Sequence, residues 1–240
     1  MSGSQQRVVV FAYNFPHRKT QDFLFRLLAE GIRVSDVLAA DPVKLNIPPG
    51  EIRTKVRHGA LIHPRQVADA VGARYHVVPH RGDEVVDLLE QIKPSIGVIA
   101  GARILKRDVI GLFKSGIINF HPGLIPEARG LDALLWSIRN SIPLGITSHL
   151  IDHRVDAGRI LERREIGLFP DDNVFDLSER LYETQMDMLS EAIDRTCSGK
   201  WEETDYISSA CNTKMDGQQE RETMALLPSY LDRFSTNNNP

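Results

Sequence analysis

Apolar residues reach the N-terminal part of this chain in short bursts, and segments of helical spacing separate them. Arg7–Phe11, RVVVF, is a β-branched run of the kind that forms a buried first strand. A loop, AYNFPHRK, follows, and Thr20 is the expected N-cap of a helix over QDFLFRLLAE that Gly31 stops. Val34–Ala40 reads as a second strand. The polar, proline-containing stretch 41–63 reads as an ordered surface excursion. PRQVADAVG is a helix with Pro64 in its first turn and Gly72 at its end. Strand YHVV, helix RGDEVVDLLEQIKP, strand IGVIA, helix LKRDVIGLFKSG and strand IINF complete the series. Strands that alternate with helices at this spacing predict βαβ units with right-handed crossovers.

After Pro126 the pattern changes. LDALLWSIRN is helical, with an apolar stripe of Leu131, Leu134, Leu135 and Ile138 that Trp136 joins as a core residue. GITSHLID and GRILERREIGL read as two strands, and residues 173–195 as one long helix with Asp171 and Asp172 at its start. Residues 200–240 are less periodic and end in STNNNP, expected to fray. The fold class expected is α/β: an open, mostly parallel twisted sheet with helices on both faces. The core takes residues 1–199, and a C-terminal appendage takes 200–240.

Composition narrows the class without naming a chemistry. The chain has 240 residues, 42% hydrophobic and 25% charged, ordinary values for a soluble globular protein. A net charge of -3 does not suggest nucleic acid or an anionic membrane as partner. No long uncharged apolar run and no secretory signal pattern is present, so a cytoplasmic location is expected. The two cysteines, Cys197 and Cys211, make neither a zinc pattern nor a disulfide framework.

The chemistry concentrates where IINF ends. Asn119 and His121 are two apart in extended chain and project to one face. Pro122 keeps His121 out of the helical region. In an open parallel sheet, ligands bind beyond the carboxyl ends of strands, so an amide and an imidazole are aimed together into a crevice. One donates hydrogen bonds and the other carries a proton, which suits a reaction that develops an oxyanion while a nucleophile loses a proton. Asp156 lies at the turn between the next two strands, where its carboxylate could orient and charge the imidazole. Asp152 is its rival for that role.

These segments are together recognisable. Asn119-Phe120-His121-Pro122-Gly123-Leu124-Ile125-Pro126, then Gly145-Ile146-Thr147, then Asp156-Ala157-Gly158 resemble the motifs of the folate-dependent formyltransferases. That family includes glycinamide ribonucleotide transformylase, methionyl-tRNA formyltransferase and the sugar N-formyltransferases. AGARIL, residues 100–105, resembles the segment whose backbone holds the pterin. The resemblance implies N10-formyltetrahydrofolate as co-substrate and formyl donor, and a substrate amine that attacks the formyl carbon. It implies catalytic roles for Asn119, His121 and Asp156, and cofactor contacts from Arg103, Ile104, Leu105 and Val155. Arg129, Asp132 and Arg18 are candidates for binding the acceptor. The sequence departs from the family pattern at Gly123, where serine is frequent, and at Ser148, where an aliphatic residue is common.

The acceptor follows by elimination. The residues after the predicted long helix are too few for the β-barrel that methionyl-tRNA formyltransferase carries, and no basic surplus suggests tRNA. PHRK, residues 16–19, lacks the glycine-rich turn that takes the phosphate in glycinamide ribonucleotide transformylase. A small amine acceptor remains, with a nucleotide-linked amino sugar the best fit. Alternatives are hydrolysis of formyltetrahydrofolate, or formylation of glycinamide ribonucleotide or a modified amino acid. RTKVRHG, residues 53–59, is a second basic stretch, either solvated or facing such a substrate. MALLPSYLDRF, residues 224–234, either mediates a homodimer or packs on its own core. His80, His149, His153 and Asp152 have no metal-ligand spacing, and no metal is expected.

Overall fold

A computed structural model describes residues 6–44, 46, 60–203 and 211–235. Its seven strands form one sheet in the order β3-β2-β1-β4-β5-β6-β7. The strands are β1 (Val8–Tyr13), β2 (Val34–Ala40), β3 (Arg74–Val77), β4 (Ile96–Ile99), β5 (Ile117–His121), β6 (Gly145–Leu150) and β7 (Arg159–Glu165). Strands β1 to β5 pair in parallel, and β6 and β7 are antiparallel.

Helices cover both faces, and the two-residue period of the strands divides the core between them. Val8, Val10 and Ala12 of β1 pack in one cluster with α1 (Arg18–Ala29), α6 (Val174–Asp187) and α7 (Leu189–Ser198). Val9 and Phe11 pack in the other with α3 (Asp83–Ile92) and α4 (Arg107–Ile110). In β5, Ile118 and Phe120 join the first cluster and Ile117 the second. Asn119 and His121 therefore share the face of Ile117, the side packed by α3 and α4.

Several sequence expectations are corrected. His17, not Thr20, is the N-cap of α1: its backbone is extended and its Nδ1 accepts the Thr20 N–H at 3.3 Å. The helix expected over 105–116 shrinks to α4. The long helix expected over 173–195 is two helices, with Met188 as the last cap of α6 and the first of α7. Asn173 opens α6 in a reciprocal capping box with Asp176. Leu131 is 56% exposed and leaves the stripe of α5 (Ala133–Asn140), while Trp136 is half-buried. The excursion expected over 41–63 lies mostly outside the described residues, as does RTKVRHG.

The appendage is more regular than its sequence pattern. It holds α8 (Gly217–Met224) and α9 (Leu227–Phe234), which complete the series with α2 (Pro64–Ala70). Leu227, Tyr230 and Leu231 are buried in the first core cluster, and the Tyr230 hydroxyl donates to the Ile142 carbonyl at 2.7 Å. Each such side chain stabilises by roughly 1.5–3 kcal/mol when fully buried. Leu227, Tyr230 and Leu231 are thus turned onto their own chain, while Leu226 is exposed. Among the described residues no helix is long and apolar enough to cross a membrane.

Candidate active site

Register assembles the site. β6 runs antiparallel to β5, so Asn119 stands opposite His149 and His121 opposite Thr147. Thr147 is buried, and its hydroxyl donates to the Gly123 carbonyl at 2.8 Å and accepts the Ile125 N–H at 3.0 Å. That pair of bonds fixes the loop leaving His121. A Cβ at Gly123 would come within 2.9 Å of both the Ala128 oxygen and the Ala133 Cβ. Serine at this position has no room, which accounts for the departure from the family pattern.

The loop from Ile151 to Gly158 returns Asp156 to the imidazole. Asp156 adopts left-handed backbone, φ 45, a region that aspartate enters more readily than most side chains. A Cβ on Gly158 would overlap the Leu150 carbonyl, so the spacing Asp156-Ala157-Gly158 combines a left-handed acid with a close backbone approach. Asp156 Oδ2 lies 3.4 Å from His121 Nδ1 and accepts the Gly130 N–H at 3.0 Å. The other imidazole nitrogen, Nε2, is 2.7 Å from the Ala128 carbonyl. Both ring nitrogens of a nearly buried His121 therefore face oxygen acceptors.

His149 is the residue that sequence reasoning did not place in this group. It is fully buried, and burial pushes its pKa down to about 4 against the opposing pull of the Asp156 carboxylate. The neutral ring accepts a hydrogen bond at Nε2 from the Asn119 amide nitrogen, 3.2 Å away, and lies 3.7 Å from Asp156 Oδ1. The Asn119 amide is thereby oriented from behind. The signal lay in the spacing from Thr147 to His149, which in an antiparallel neighbour places both on the face that meets Asn119 and His121.

Other candidates find other partners. Asp152 is bound by Arg154, which holds its carboxyl below the ordinary range, so Asp156 and not Asp152 meets His121. His80 is a buried core residue with Nε2 at 2.9 Å from the Leu38 carbonyl. Arg129 donates to the Val155 carbonyl at 2.6 Å and so grips the Asp156 loop. Asp132 accepts the Met215 N–H at 2.9 Å and the Lys214 ammonium at 3.1 Å, an engagement with the appendage. Arg18 makes a two-pronged bond to Glu179 at 2.7 and 2.8 Å and lies over the Tyr182 ring. Lys19 donates to Gln185, and burial lowers His17 to about 4, so PHRK offers no free cluster of cations. Among the described residues no three His, Cys, Asp or Glu side chains are grouped to hold a metal ion.

The segment after β4 is open. Ile104 is 74% exposed and Val155, the residue before Asp156, 42%. Arg103 lies over the Tyr13 ring at 5.6 Å, and Leu105 is buried. Among the described residues, the backbone groups of Arg103, Ile104 and Leu105 have no protein hydrogen-bond partner. A separate cavity of about 640 Å³ runs beneath the same return loop, lined by Phe113, Ile151, Ala157, Cys197 and Trp201 among others, and none of Asn119, His121 or Asp156 borders it.

A family model described as formyl transferase matches residues 53–193. The chain belongs to the formyl transferase family. A methionyl-tRNA formyltransferase of Roseiflexus castenholzii is 36% identical over 117 residues, 48% of this chain and 37% of that protein. One of Thermodesulfovibrio yellowstonii is 31% identical over 121 residues, 50% of this chain and 39% of that protein. The chain thus spans well under half the length of these relatives. Among solved structures, a sugar N-formyltransferase from Shewanella superposes with a TM-score of 0.63 at 18% identity, covering 92% of this chain and 87% of that one. Glycinamide ribonucleotide transformylase 1 from Symbiobacterium toebii superposes at 0.61 and 21% identity, covering 82% and 90%. These likenesses establish the formyltransferase fold, with its open α/β sheet.

Proposed function

We propose that this formyltransferase moves the formyl group of N10-formyltetrahydrofolate to the amine of a small acceptor, a nucleotide-linked amino sugar. The observation that carries the reading is the meeting of Asn119, His121 and Asp156 at the carboxyl end of β5, with His149 behind the amide. In this reading the acceptor nitrogen bonds to the formyl carbon and the carbonyl pair moves to oxygen. The second N–H of the Asn119 amide, not used by His149, stabilises that oxyanion. The acceptor nitrogen loses a proton, folate N10 gains one, and the bond between the carbon and N10 breaks. His121, or a water it orders, carries the proton. To do so its Nε2 exchanges the Ala128 carbonyl for the reacting groups, while Asp156 keeps hold of Nδ1.

The donor fits what lies beside these residues. The pteridine ring is a flat heterocycle with an edge of donors and acceptors. The unpaired backbone of Arg103–Leu105 suits that edge, and the exposed side chains of Ile104 and Val155 suit its faces. The acceptor class is supported by the fold shared with proteins titled sugar N-formyltransferases and by the absence of a basic surplus in the sequence. The names of the relatives at 31% and 36% identity favour a second reading, in which the acceptor is an aminoacyl group on tRNA.

One incubation separates these readings. The protein is mixed with N10-formyltetrahydrofolate alone, with a panel of nucleotide-linked amino sugars, with glycinamide ribonucleotide, or with methionyl-tRNA, and tetrahydrofolate and formate are followed. Folate release that requires an amino sugar supports the proposal. Release that requires methionyl-tRNA supports the second reading, and release with free formate and no amine is hydrolysis. No release in any arm overturns all of them.

A further inference from the structure

The loop from Ala128 to Gly130 touches both proposed reacting groups. The Ala128 carbonyl meets His121 Nε2 at 2.7 Å, and the Gly130 N–H meets Asp156 Oδ2 at 3.0 Å. Between them, the Arg129 guanidinium holds the Val155 carbonyl. Something must hold this loop in turn, since its own glycine has φ 97 and no regular element contains it.

That support comes from the appendage. The Asn212 N–H donates to the Arg129 carbonyl at 2.9 Å, and the Asn212 carbonyl accepts the Leu131 N–H at 3.0 Å. The two segments run as a short parallel bridge, Gly130 to Asn212. Approach is so close that a Cβ on Gly130 would overlap the Asn212 carbonyl oxygen. The contact is anchored on both sides. Trp136 Nε1 donates to the Thr213 carbonyl at 2.8 Å. Asp132 accepts the Met215 N–H, and Lys214 bridges Asp132 at 3.1 Å and the buried Glu220 at 3.4 Å.

We propose that Cys211–Met215 is a positioning strap, whose backbone bonds to Arg129 and Leu131 set Gly130 against Asp156 and so hold Asp156 on His121 Nδ1. None of these strap residues touches the reacting atoms; they act through Gly130, whose N–H holds Asp156. The effect on turnover rests on the formyl-transfer reading above, whereas the effect on the loop does not. Reacting groups tolerate little misplacement: a shift of about 1 Å can cost on the order of 100-fold in rate.

The test uses the full chain and Asn212→Pro, which removes the N–H given to Arg129 without altering the loop itself. Asn212→Ala keeps both backbone bonds and serves as the structural control. Lys214→Met removes the ionic anchor, and Lys214→Arg restores it. Amide hydrogen exchange at Gly130 and Leu131 is read by NMR, alongside kcat and KM for N10-formyltetrahydrofolate with the amino sugar that supports transfer. In Asn212→Pro, exchange at both amides is expected to rise at least about tenfold. Its kcat is expected to fall about tenfold or more while KM for the donor stays within about twofold. Lys214→Met shows the same split more weakly, and Lys214→Arg recovers it. Unchanged exchange in Asn212→Pro overturns the strap, and faster exchange with wild-type kcat overturns its positioning role. A wild-type protein that transfers no formyl group to any acceptor refutes the function reading, while the exchange data still decide whether the strap holds the loop.

Discussion

Two strand ends of this sheet invite comparison, because both lie where an open parallel sheet receives ligands. Beyond β1, the polar side chains are paired internally. Asn14 donates to Asp41 at 2.7 Å, Arg18 pairs with Glu179, Lys19 with Gln185, and His17 caps its own helix. Beyond β5, Asn119, His121, His149 and Asp156 converge on one small volume. The difference follows from the neighbouring strands. β1 lies between two parallel strands, β2 and β4, which run in its own direction. β5 has an antiparallel neighbour on one side, so β6 sets its own side chains directly across from those of β5. The change of strand direction brings Thr147 and His149 directly across from His121 and Asn119.

Substitution should break the symmetry between the two ends most sharply. Asn119→Ala, His121→Ala and Asp156→Ala are each expected to lose about 10²–10⁴ in turnover and to remain folded, as the proposed roles of oxyanion donor and proton carrier require. Arg18→Ala, at the other end, is expected to lower the melting temperature and leave turnover near wild type. Steady-state rates and a thermal melt on the four variants decide it, and equal losses of turnover at both ends would erase the contrast.

A smaller effect is expected at His149. Its ring orients the amide and does not touch the reacting carbon, so His149→Ala should lower kcat by about 10- to 100-fold with little change in KM for the donor. An unchanged kcat would detach the imidazole from the site and leave it a core residue like His80.

Acid should act on both ends together. Burial depresses His17 and His149 to about 4, whereas an unfolded histidine titrates near 6.5. Between these values the unfolded chain binds more protons than the native one, so stability falls as pH drops from about 6.5 towards 4 and is level above that window. Urea midpoints measured from pH 7.5 down to 4.5 check this, and a flat curve contradicts neutral burial of the two rings. The smallest effect belongs to Gly123→Ser. The added atoms meet Ala128 and Ala133 and should cost about 1–3 kcal/mol by denaturant unfolding, with the loop displaced and not the strand.

Much of the fold was legible because local patterns carry it. Period-two runs such as RVVVF and IINF split their residues between the two faces in the structure, as their spacing requires. Asn119 and His121 could be set on one face from their separation alone, and the Asp-x-Gly turn could be ranked above Asp152. The helix ends were less legible. Thr20 looked like a cap, yet the helix starts two residues earlier and the His17 side chain accepts the N–H of Thr20 itself, and the apolar period across 173–195 passed over the break at Met188. Periodicity reports which face is buried and is insensitive to one residue that leaves the helix and re-enters it.

Sequence by itself thus determined the alternation of strands and helices, the family, and the trio Asn119, His121 and Asp156, because each depends on spacing within a few residues or on motifs read in order. Tertiary structure alone decided that His149 backs Asn119, that Asp132 and Arg18 are engaged by Lys214 and Glu179, and that the appendage returns to clasp Gly130. Those contacts join residues 30 to 161 positions apart along the chain. Strand register and helix packing fix such distances, and no local pattern encodes them.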